Sequence, residues 1–232
     1  METKNETGTL EFVPKTGPSY SKGWDVMWTT FIELLVVSIV YAFINIPAGM
    51  VQFGDKDFEW YFLPIVFFGI AYAIFVSGPI GYSVSWVYLK AVRKEKINIK
   101  DMFSVFERNY WNAVVASLIT GIIIGFGFIM LIVPGIFFAC RLAFVQYLII
   151  DQKMDVMDAL KTSWEMTRGH GWSIFFIGLL AIPIVIAGLI MLFFGVFLSA
   201  IWISCAFAVI YHAVCLEKGQ YVAPVNSESV QS

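Results

Sequence analysis

Charge is what this chain has least of. Of its 232 residues, 15 are Lys or Arg and 17 are Asp or Glu, which is 14%. A soluble domain carries about 25%. With 59% hydrophobic and 17% aromatic residues, there is too little charged surface to cover a core in water. The balance excludes a disordered chain, a nucleic-acid binder and an ordinary soluble enzyme. Cysteine and histidine are also sparse. Cys140, Cys205 and Cys215 lie in apolar runs and form no C-x-x-C pair, so no zinc or redox site is expected, and they read as buried thiols. No Ser-His-Asp set, carboxylate pair or phosphate-cradling loop is visible. We therefore expect no catalytic residues, no cofactor, no metal and no enzyme activity. The polar start, Met1 to about Asp25, lacks the short apolar core and small-residue cleavage site of a secretory signal. The first apolar run then reads as a retained span.

What is present is a series of long uncharged runs. A span needs about 20 apolar residues. The first is Val26 to Pro47, broken only by Glu33, Asn45 and a few hydroxyls. An acidic segment, Gln52 to Glu59, follows. Its Asp55, Asp57 and Glu59 have no Ca²⁺-loop spacing and read as a solvated loop. The second run, Trp60 to Leu89, exceeds the bilayer core and is expected to tilt, kink or break at Gly78-Pro79. The third, Trp111 to Val133, ends at a Pro134-Gly135 turn, and the fourth, Ile136 to Ile150, contains Arg141. The last, Trp172 to Leu216, is long enough to fold back, with Gly188 and Gly195 as break points. Gly195 is favoured, giving spans near 173–193 and 196–216.

The expected fold is all-α: a polytopic bundle of about six transmembrane helices in three hairpins. The membrane domain covers 26–216, between polar tails at 1–25 and 217–232. Trp24, Trp111 and Trp172 each open a hairpin, a weak repeat. Lys4, Lys15 and Lys22, the Lys90 to Arg108 loop, the Lys153 to Arg168 loop and Lys218 all fall on one side with six spans, and Lys56 alone on the other. The positive-inside rule then places both termini in the cytoplasm. Two loop segments have helical apolar spacing: Ile99, Met102, Phe103, Phe106 and Tyr110, with Asn98 as cap and Asp101 in the first turn, and Val156, Met157, Leu160 and Trp164, with Asp155 as cap. They read as interfacial amphipathic helices or as connecting helices under the bundle.

Gly78-Pro79-Ile80-Gly81, Tyr88-Leu89, Asp101-Met102-Phe103, Phe106, Pro134-Gly135-Ile136, Arg141, Asp158-Ala159-Leu160-Lys161-x-Ser163-Trp164, Thr167-Arg168-Gly169-His170 and Trp172 occur in that order. The order resembles the bacterial integral-membrane family called domain of unknown function 975, and the membrane domain attached to some glycerophosphodiester phosphodiesterases. The resemblance covers roughly residues 70–180. It implies a multi-helix protein of the bacterial inner membrane. It does not imply phosphodiesterase activity, since the soluble catalytic domain of those fusions has no counterpart here.

Ionisable groups within spans are costly and point to function. Glu33, Arg141 and His212 are the candidates for an intramembrane polar site. Glu33 and Arg141 read either as a polar path or as an ion pair locking two helices, or each snorkels to an interface. His212 reads as a proton relay or as a hydrogen-bonded core residue. Gly78, Pro79 and Gly81 mark a helix break, with a packed kink favoured over an open substrate site. Gly121 and Gly125 form a G-x-x-x-G pair, expected to serve intrachain packing. Lys90, Arg93, Lys94, Lys96, Lys161, Arg168 and His170 form a candidate lipid-headgroup surface, although topology alone accounts for the cations. The expected function is non-enzymatic binding of membrane lipid, or of a membrane protein partner or second copy, in envelope maintenance. The alternative is a small transporter or channel using Glu33 and Arg141.

Overall fold

A computed structural model describes residues 12–49 and 63–219. The acidic segment with Asp55, Asp57 and Glu59, and the outer parts of both tails, lie outside the described residues. Among the described residues the chain is all helix and turn. Five helical stretches are long and apolar enough to cross a membrane, and a sixth if one bent pair counts as a single span.

That bent pair replaces the expected straight span Val26 to Pro47. Helix α1 (Thr16–Thr29) and helix α2 (Phe31–Gly49) meet at 94°. The cause is local. Thr29 and Thr30 turn their hydroxyls back onto the carbonyls of Asp25 and Val26, at 2.7 and 2.9 Å. Such back-bonding competes with the helical ladder and bends it. The expected polar tail is thus helical from Thr16. At 14 residues α1 is about 21 Å long, short of a bilayer core of about 30 Å, and it carries Lys22 and Asp25.

The second run forms α3 (Leu63–Tyr72), a π-helical turn (Ala73–Ser77) and α4 (Gly78–Val92). Pro79 has no N–H to donate four residues back. The carbonyl at that position, Phe75 O, instead accepts the Tyr110 hydroxyl at 2.8 Å. The break expected at Gly78-Pro79 is therefore a π turn immediately before it, within one continuous span. A 3₁₀ turn (Ile99–Phe103) and a short α5 (Ser104–Arg108) follow, so the first amphipathic segment is two short pieces.

Helix α6 (Tyr110–Met130) and helix α7 (Ile132–Leu142) form a tight hairpin. Its corner is Leu131, in extended backbone, and not the expected Pro134-Gly135. Pro134 sits in the first turn of α7, where a missing N–H costs nothing. Gly127 and Gly135 let the two helices touch, since a Cβ on Gly127 would lie 2.9 Å from Gly135 Cα. After a turn at 143–144, α8 (Val145–Asp151) completes this span.

The second amphipathic segment is α9 (Val156–Met166). Asp155 stands at its N-cap position without capping it, because its carboxylate accepts from Asn112 Nδ2 at 3.1 Å. The last run folds as α10 (Gly171–Ile190) and α11 (Leu192–Glu217), with the corner at Met191 rather than Gly195. Gly188 and Gly195 face each other across it, and a Cβ on Gly188 would come within 2.6 Å of Gly195 O.

Helix α11 is the axis of the bundle, in contact with α1, α2, α4 and α10. Cys205, Val209, Tyr211, Val214 and Cys215 on it are all buried. The outward faces of α6 and α10 are apolar and exposed at Ile122, Phe126, Ile129, Ile182, Ile186 and Ile190. Exposed aliphatic faces around a buried helix are the polarity expected where lipid is the solvent.

Candidate functional site

The polar groups gather at the loop end of the bundle. Helix α4 ends in a C-terminal cap where Glu95 N–H returns to Lys90 O and Lys94 N–H to Ala91 O. Lys94 takes a left-handed φ of 58° there, the position such a cap requires. This fixes Arg93, which makes two hydrogen bonds to Asp151 at the end of α8, Nη2 to Oδ2 at 2.7 Å. The side chains are only 6% and 10% exposed. Burial works against the Arg93 charge, but the bonds and charge of Asp151 outweigh it and hold the guanidinium pKa above its ordinary value. Tyr211 of α11 donates to Asp151 Oδ2 at 3.2 Å and stacks on Tyr147 at 4.7 Å. One ion pair thus ties α4, α8 and α11 together. Beside it Lys90 donates to Asp101 at 2.9 Å, and the same carboxylate oxygen accepts the Asn98 N–H.

These pairs sort the candidate headgroup cations. Lys90 and Arg93 point inward onto carboxylates. Lys94, Lys96, Lys161 and Arg168 are exposed. His170 is half-buried, 3.3 Å from Glu217. His212 is buried, with its ring edge-on to Phe12 at 4.7 Å, and Lys22 Nζ lies 3.5 Å above that Phe12 ring. Glu33 and Arg141 are not brought together. Glu33 is exposed in the first turn of α2, where a carboxylate favours the helix N-terminus. Arg141 is half-buried at the end of α7, with its guanidinium 5.0 Å from the Phe137 ring and 5.3 Å from Trp164. Asp151, Tyr211 and the Asp101–Lys90 pairing were not singled out from sequence. The available signal was Asp151 itself, the first charge after the uncharged run that follows Arg141.

The second feature is an open cleft of about 530 Å³ between α4, α6 and the α7–α8 span. Tyr82, Ser117, Thr120 and Gln146 give its wall polar groups, and Gly121 and Gly125 form part of its floor. A Cβ on either glycine would meet nothing within 4 Å. The G-x-x-x-G pair therefore does not serve the intrachain packing expected of it; it borders empty space. The volume lies within the roughly 300–1,000 Å³ of small-ligand sites. Among the described residues no group of three or more His, Cys, Asp or Glu could hold a metal ion. Compared with protein-family models, curated proteins and solved structures, the chain matches none.

Proposed function

We propose that this chain is a non-enzymatic multi-pass membrane protein that binds lipid from the surrounding bilayer. The observation that carries the reading is the cleft beside Gly121 and Gly125. It lies along helices whose outward faces are apolar, and it offers hydroxyls and an amide to an ester or headgroup beside room for an acyl chain. The transporter reading draws no comparable support, because Glu33 and Arg141 make no ion pair with each other among the described residues. The one-sided Lys and Arg distribution supports both termini in the cytoplasm. The resemblance to the uncharacterised integral-membrane family supports the bacterial inner membrane as the location.

The test fills the cleft. Gly121→Leu with Gly125→Leu adds bulk at positions where a Cβ meets nothing within 4 Å, and an unchanged melting temperature checks that the variant folds. Native mass spectrometry of the gently extracted protein should show fewer lipids bound per chain on the variant than on the wild type. Unchanged lipid retention in a folded variant would rule the cleft out. Loss of a dimer in place of lipid would give the cleft to a second copy of the chain.

A further inference from the structure

Arg141 is a half-buried cation of the bundle, and its situation is unlike that of Arg93. Among the described residues no carboxylate or carbonyl accepts a hydrogen bond from its guanidinium, and Nη1 is buried without a partner. Its contacts are the faces of Phe137 and Trp164. The backbone beneath is fixed, since Ser163 Oγ of α9 donates to Arg141 O at 2.8 Å. Rings on a guanidinium stabilise its charge but leave its N–H donors unused. In a span such donors need an acceptor.

The surroundings add two exposed cations, and the carboxylates of α9, Asp158 and Glu165, make no ion pair with Arg141. On α9, Lys161 lies three residues before Trp164 on the same helical face, and Arg168 follows in the turn just after the helix; both cations are exposed. Trp164 is itself 38% exposed, a ring of the kind that marks headgroup depth. Ala139, two positions before Arg141 and so across the α7 helix, lines the lateral cleft. The Arg141 face is thus a different surface. We infer that Arg141, held under Trp164 and flanked by Lys161 and Arg168, receives the phosphate of an anionic lipid headgroup. A planar guanidinium suits a phosphate through paired N–H donors.

The full-length protein in neutral detergent is titrated with dioctanoyl phosphatidylglycerol, with dioctanoylglycerol and with inorganic phosphate, reading bound copies by native mass spectrometry. The wild type should bind phosphatidylglycerol, and Arg141→Gln should weaken this about tenfold, the scale of one charge-assisted contact. Lys161→Gln with Arg168→Gln, both at exposed positions, should weaken it several-fold without touching the fold. Gly121→Leu with Gly125→Leu should leave the Arg141-dependent copy bound, and the Arg141→Gln comparison is repeated in that cleft-filled background, so failure here and failure of the cleft are read separately. Equal binding of phosphatidylglycerol by wild type and Arg141→Gln overturns the site. If Arg141→Gln does not fold, unchanged binding by the Lys161/Arg168 variant overturns it. Inorganic phosphate binding as tightly as the lipid overturns the lipid as its source, and equal binding of the phosphate-free dioctanoylglycerol overturns the headgroup contact.

Discussion

At the scale of single residues, two arginines in the same bundle meet the same electrostatic problem differently. Arg93 was legible only as one of a loop's cations, because sequence shows a charge and not the carboxylate it will meet 58 positions later. Its pair with Asp151 is buried on both sides. Attraction in such a pair roughly balances desolvation, while an unpaired survivor is left with the full penalty. Arg93→Met or Asp151→Leu alone should therefore destabilise the protein by about 3–5 kcal/mol. The double variant should recover most of that loss, because no charge is left stranded. Thermal unfolding in a fixed detergent checks this. Two single losses that simply add would show that the pair is not a coupled unit. The same logic explains why Glu33 and Arg141 failed as a pair: their residue types matched, but nothing in the sequence encodes the distance between α2 and α7.

Elements were legible where composition acts alone. The uncharged runs give the spans, since twenty residues without charge have few other fates. Corners were less legible, because several small residues fit each one and packing makes the choice. Gly195 was favoured as a corner, whereas the structure uses it with Gly188 as a contact beside a corner at Met191. Gly121 and Gly125 were expected in a contact and border a cleft instead. The same residue type thus predicts opposite outcomes at two places. Gly188→Ala puts a methyl within 2.6 Å of a backbone oxygen and should cost about 1–3 kcal/mol by overpacking. Gly121→Ala meets open space and should leave the melting temperature unchanged or raise it, since Ala is the better helix former. Equal melting temperatures for the two variants would contradict the hairpin geometry at Met191. The Thr29-Thr30 bend had a readable signal, two adjacent hydroxyls able to bond backward, but the apolar run on either side concealed it.

For the whole molecule, the bend decides the count of crossings. Five stretches are long and apolar enough to cross alone, and α1 with α2, bent by 94° at their junction, adds a sixth only where the pair counts as one crossing. Phe12, just before α1, meets His212 near the end of α11, and Thr16 bonds Ser173 O at the start of α10. The two ends of the described chain therefore lie at the same end of the bundle, which demands an even number of crossings. Six satisfies this, and it also puts the Lys90–Lys96 loop and α9 at one end and the corners Leu131 and Met191 at the other. From the Lys and Arg distribution we predict that the first end faces the cytoplasm. Single cysteines at Lys96, Lys161, Leu131 and Met191, all exposed positions, test the arrangement, because Cys205 and Cys215 are buried and only Cys140 needs replacing by Ala. In intact cells a membrane-impermeant maleimide should label Leu131→Cys and Met191→Cys only. After the cytoplasmic side is opened it should also label Lys96→Cys and Lys161→Cys. Labelling of positions 96 and 161 from opposite sides would break the even count, and labelling of both from outside would invert the orientation while leaving the fold intact.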